Sequence, residues 1–180
     1  MIMTSPFSNP KRRGDGRIDM FEKGQYVVYP GHGVGVIEEV KEVRVNGEAE
    51  KVYVLRPLRS KSTLIIPVKN ATSTGMRKVI SPSEVESILD YLSQREEVPN
   101  HIHLPWNQRF RQYTERINSG SVYEVARVLK ELHLLRYQKK LSFGEKKLME
   151  TALRLLVQEL AVAKRVEEQE IRQEIQNRLP

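Results

Sequence analysis

Trp106 is the only tryptophan in the 180-residue chain, and Arg109, Phe110 and Arg111 follow within five positions. If Pro105 opens a helix there, Trp106 shares a face with Arg109 and with Phe110 at i+4, while Arg111 and Arg116 extend the positive charge. An aromatic side chain framed by cations suits a polyanion with stackable bases: apolar wedges enter between base steps while Arg and Lys hold the phosphates. The plainer alternative is a core tryptophan, since a lone Trp usually packs inside. Charge along the chain bears on the choice. Residues 106–147 hold ten basic and four acidic side chains, whereas 81–105 hold one and five, within a net charge of +7. Such a block fits either a phosphate-binding surface, where neutralisation releases counterions, or a solvated helix face.

Other candidate chemistry is weaker. Pro30-Gly31-His32-Gly33-Val34-Gly35 lacks the G-x-G-x-x-G spacing and runs into Val36-Ile37, a strand rather than a helix, so its glycines read as a tight turn with close packing. No Walker lysine is present. His101 and His103 have no third ligand at a useful spacing, and the adjacent carboxylates Glu38-Glu39 and Glu96-Glu97 splay apart. The chain has no cysteine, which excludes disulfides, thiolate metal sites and a cysteine nucleophile. No cofactor, metal or catalytic constellation is expected, so a non-enzyme is. No apolar run approaches the roughly 18 residues of a membrane span, and no secretory signal opens the chain, so a cytoplasmic protein is expected.

Two kinds of element must position these residues. Residues 1–19 mix breakers with charge and no period and read as a disordered tail. From Phe21 to Val68 short Val-, Ile- and Tyr-rich runs alternate with turns, and Asn46-Gly47 is a type I′ hairpin signal that pairs Val34–Val45 with Glu50–Leu58. So few short strands favour a small closed or half-closed SH3/Tudor-like antiparallel β-barrel. After Ala71–Gly75 the period turns helical. Ser81, Ser121 and Ser142 each open an S-x-x-E capping box, predicting helix starts at 82, 122 and 143, and Gly120 can end a helix begun near Pro105. Val166–Leu179 is mostly polar and is expected to fray. The fold class is thus α+β in two domains: 20–74 a Tudor-like barrel and 75–180 an all-α helical bundle.

Several strings together resemble the CarD/CdnL-type bacterial transcription regulators, whose N-terminal domain is similar to the RNA-polymerase-interacting domain of the transcription-repair coupling factor. They are Phe21-Glu22-Lys23-Gly24, Val27 to Gly33, Ile66-Pro67-Val68, Gly75-Met76-Arg77-Lys78, Trp106 with its basic helix, Ser119-Gly120, and Leu141 to Leu148. The resemblance covers about residues 20 to 165 and implies that residues 1–19 are an extension and that the native chain starts at Met20. It implies that 20–74 grips the RNA polymerase β subunit through a sheet edge at Val43, Val45 and Ile65, with Arg44 the nearby charge. It implies equally that 75–180 reaches promoter DNA in the minor groove at the upstream edge of the bubble. There Trp106 acts as a wedge that stabilises the open complex, and Arg109, Arg111 and Lys146 contact phosphates without reading sequence. A monomer on the polymerase, associated with the nucleoid, is implied too. The alternative is a protein-interaction adaptor that does not bind DNA, with the helical half as partner site and Trp106 in its core.

Overall fold

The structure is a computed structural model that describes residues 21–97 and 99–180, so the expected disordered extension and the start at Met20 lie outside the described residues. Its first half is an antiparallel sheet of β1 (Tyr26–Tyr29), β2 (Gly33–Val45), β3 (Glu48–Pro57), β4 (Leu64–Pro67) and the two-residue β5 (Arg77–Lys78), in the order β4-β3-β2-β1-β5. The ladders stop at β4 and β5, leaving the barrel half-closed. Asn46 and Gly47 both have positive φ, 51° and 85°, and close the two-residue turn that pairs Val45 with Glu48. Only a residue pair tolerant of that conformation fits, which is why Asn-Gly marks the site.

One irregularity decides what β2 displays. The register shifts between Ile37, opposite Leu55, and Glu39, opposite Val54. Glu38 is the extra residue of a β-bulge, so Ile37 and Val40 both face the core although three positions apart. Beyond the bulge the parity of the strand is inverted. The core beneath holds Val27, Ile37, Tyr53, Leu55 and Ile66, and the Tyr53 hydroxyl accepts the Phe21 amide at 3.0 Å. A short helix α1 (Val68–Ala71) follows β4 where the sequence reading carried the strand through Val68. β5 was not foreseen either. Two residues are too few to show alternation, and its pairing with Val27 and Val28 comes from tertiary contact.

The second half is helical: α2 (Pro82–Ser93), α3 (Trp106–Ile117), α4 (Val122–Gln138), α5 (Phe143–Lys164) and α6 (Glu168–Arg178). The starts fall at the predicted residues. Ser81 and Ser142 form complete capping boxes with Glu84 and Glu145. At Ser121 only half the box forms, because the Glu124 carboxylate turns to Arg116 at 2.9 Å and Arg127 at 3.2 Å. The expected fraying of the last segment is also corrected. Ile171 and Ile175, one turn apart, are buried against α5 and α2 and hold α6 in place. Among the described residues no helix is long and apolar enough to cross a membrane.

Candidate nucleic-acid and partner surfaces

Trp106 is the first residue of α3 and is half-buried, its indole lying on the first turn of α5. A Cβ at Gly144 would stand 2.5 Å from Cζ2 of the ring, so the indole occupies the space that a side chain at 144 would need. Phe110 packs against it at 5.4 Å between centroids, and the Arg109 guanidinium lies 5.4 Å from the ring centroid. The predicted helical face is therefore assembled.

Arg109 departs from the expectation of a phosphate contact on an open rim. It is 6% exposed, donates to the Leu104 carbonyl at 3.2 Å and to Glu145 Oε1 at 2.7 Å, and its charge is balanced inside the fold. Glu145 has no exposed surface and also accepts Lys139 Nζ at 2.7 Å and the Ser142 amide at 2.8 Å. Burial favours its protonated form, but the hydrogen bonds from Lys139, Ser142 and Arg109 outweigh that and hold the carboxyl down at about 2. A buried carboxylate at N3 of α5 requires this neutralisation, and it draws Arg109 under the indole. Arg109 thereby positions Trp106. Arg116, expected to extend the positive rim, is likewise committed, with Glu131 gripping it bidentately at 2.9 and 3.0 Å.

The exposed cations lie around this cluster. Arg111 is open to solvent, about 140° round α3 from Trp106, and pairs with Glu115 one turn on at 2.9 Å. Lys146 is exposed in the first turn of α5, with Lys147 beside it and Lys140 in the preceding loop. Among the described residues neither Lys146 nor Lys147 forms an ion pair, so both heads are available to a polyanion. Sequence reasoning missed Phe143. It is 84% exposed at N1 of α5, between its Ser142 cap and Gly144, with Phe110 also open at 45%. A large apolar residue at N1 of a capping box was the available signal, hidden because the box already accounted for its neighbours.

The second candidate surface lies on the sheet. Val43 pairs with Glu50, and Val54 pairs with Ile65, so the register puts Val43, Val45 and Ile65 on one face, the one opposite the Tyr53 core. Val45 and Ile65 are exposed large hydrophobics. Ile65 is two strands away from Val43 and on the edge strand β4. Arg44 pairs with Ala49 and belongs to the other face, although its side chain is exposed past the end of the core.

Comparison with known proteins matches residues 21–80 to the "CarD-like/TRCF RID domain" and residues 87–176 to "CarD, C-terminal domain". YdeB of Bacillus subtilis (strain 168), a protein named as a candidate transcription factor, is 33% identical over 153 residues, which span 85% of this chain and 98% of that one.

Proposed function

From the premise that this chain belongs to the CarD-like family of transcription regulators, we propose that it is a non-catalytic bridge between RNA polymerase and promoter DNA. The polymerase β subunit meets the sheet face carrying Val43, Val45 and Ile65, with Arg44 supplying charge from the adjoining face. The helical half meets DNA at the upstream edge of the bubble. Trp106 enters the minor groove as a wedge, Arg111 and Lys146 contact phosphates without reading sequence, and Arg109 holds the indole from beneath. The protein acts as a monomer in the cytoplasm, on polymerase at the nucleoid.

The observation that carries this reading is the cluster itself: a half-exposed indole braced by Gly144 and Arg109, with Phe143, Phe110, Lys146 and Lys147 open to solvent alongside. An aromatic projection within a cationic surface is what unstacking a base step and holding its phosphates demands. A few phosphate contacts alone give a Kd of roughly 10⁻⁴ to 10⁻⁶ M at physiological salt, too weak to choose a promoter. Attachment to polymerase supplies the missing occupancy, with effective concentrations of roughly millimolar even for a flexible tether.

The exposed Phe143 also suits a protein surface, the adaptor reading. The lifetime of open promoter complexes formed by the cognate polymerase separates the two. It should lengthen with this protein and return to baseline with Trp106→Ala, while polymerase binding persists. A folded Trp106→Ala variant with full effect on the lifetime removes the wedge, and no effect of the parent protein removes the bridge.

A further inference from the structure

Helix α5 serves two places in the molecule. Its first turn receives the Trp106 indole at Gly144 and anchors Arg109 at Glu145, and further along it meets the sheet through Gln158 and Glu159. Gln158, 1% exposed, accepts the buried Val34 amide at 3.0 Å. Gly33 beside it has φ +79°, and any side chain there would run into the Gln158 amide oxygen and Leu155. Glu159, 4% exposed, takes Arg77 bidentately at 2.6 and 3.0 Å and the Ile80 amide at 3.2 Å. The same guanidinium donates through Nε to the Gly120 carbonyl at 2.5 Å. One arginine thus ties β5, α5 and the turn between α3 and α4.

These groups are costly to separate. Parting the halves would exchange these buried bonds for bonds to water and give up the net stabilisation of each, which is largest for the charged Arg77–Glu159 pair. The Pro30–Gly33 turn, whose glycines read in the sequence as a tight turn with close packing, is the sheet's side of this joint, since Pro30 closes on Gly75 and Gly120 as Gly33 closes on Gln158.

We infer that Gln158 and Glu159, with Val34 and Arg77 opposite them, are positioning residues that lock sheet and helices into one rigid arm and so fix where Trp106 stands relative to the outer face of the sheet. The inference deepens the bridge reading and rests on it for its functional half. Glu145 and Glu159 are 14 positions apart, so α5 spans roughly 21 Å between cradle and joint. A rigid arm delivers the indole to one place on the promoter, without the ordering cost that a flexible tether bears at each engagement.

The cysteine-free chain allows spin labels at Glu42→Cys on β2 and Gln173→Cys on α6, both exposed. Pulsed electron-electron resonance should give one narrow distance in the parent and a broad distribution in Gln158→Ala/Glu159→Gln. With polymerase affinity and Trp106 emission unchanged, the extension of open-complex lifetime should fall roughly fivefold. Glu159→Gln alone, isosteric and helix-compatible, replaces the double variant if that one loses its ellipticity. A distribution that stays narrow overturns the lock, and a broad one with undiminished lifetime overturns its positioning role. Should the parent protein fail to lengthen open complexes at all, the bridge falls, and the distance distribution still judges the lock.

Discussion

Gly144→Ala isolates the placement of the indole from its presence. The new Cβ would stand 2.5 Å from Cζ2 and 3.2 Å from Cη2 of Trp106, where ordinary contact begins at 3.4 Å. The ring must retreat by roughly 1 Å, and its exposed side gives it somewhere to go. Two opposing contributions meet at this site. Alanine is favoured over glycine by less here, at the second residue of α5, than the about 1 kcal/mol of a helix interior, and overpacking costs about 1–3 kcal/mol before the ring relaxes, so a net loss of no more than about 1 kcal/mol is expected. The chemistry of the surface is untouched: same tryptophan, same lysines, same fold. A misplacement of 1 Å costs up to about 100-fold where reacting atoms must align, and a wedge without chemistry tolerates more, so roughly a tenfold loss of open-complex stabilisation is expected. Tryptophan emission should shift to the red and acrylamide quenching should rise, with the thermal midpoint almost unmoved. In a Trp106→Ala background the same substitution should do nothing further. Unchanged emission together with an unchanged lifetime would refute the cradle.

Three further outcomes follow from the geometry. The Glu145 carboxyl lies at about 2 against an ordinary 4.5, so its stabilisation of about 3 kcal/mol is complete above pH 4.5 and is lost as the pH falls toward 2. Denaturant titrations should show the stability gap between parent and Glu145→Gln closing over that window, and a gap independent of pH would contradict the assignment. Lys130 is fully buried, donating to the Tyr91 carbonyl at 2.7 Å and lying 4.2 Å over the Tyr91 ring. Burial lowers its pKa, the carbonyl keeps its Gln94 amide partner, and Glu96, paired with Lys130 at 3.3 Å, is 44% exposed and can hydrate in its place, so Lys130→Met should cost about 1 kcal/mol while Lys130→Ala costs about 2–4 kcal/mol; calorimetry giving equal losses would reverse that view. Ile65→Glu, at a position 61% exposed on the edge strand, should change stability by no more than about 0.5 kcal/mol yet weaken β-subunit binding at least about tenfold by titration. Full-strength binding would remove that face from the bridge.

What could be read in advance was what depends on neighbours in sequence. The starts of α2, α4 and α5 follow from a serine and a glutamate three residues apart, and the hairpin at Asn46-Gly47 from two φ values that few other residues tolerate. Spacing also placed Arg109 and Phe110 on the Trp106 face. It could not say that Arg109 would be spent, because its partner Glu145 lies 36 residues away and is claimed by the fold. The same limit hid the bulge. Strict alternation counted from Ile37 would turn Val43 and Val45 inward and Arg44 outward, and Glu38, looped out of the ladder, reverses all three. For α6, two isoleucines among polar residues are too small a signal until the groove between α2 and α5 exists to receive them.

Helix α5 also carries an angular setting. Fourteen residues at 100° each bring Glu159 back to within about 40° of the direction of Glu145, so the cradle and the joint look out from nearly the same side of the rod. The α3 helix that carries Trp106 is itself tied to the joint, since the turn at its far end gives the Gly120 carbonyl to Arg77, and the intervening α5 residues Leu148, Ala152, Leu155 and Leu156 are buried in the bundle. The bearing of the indole is thus held at both ends, by the cradle at one end of the rod and by the joint at the other. In the bridge reading, a change at the joint would alter where the wedge lands without altering the wedge itself.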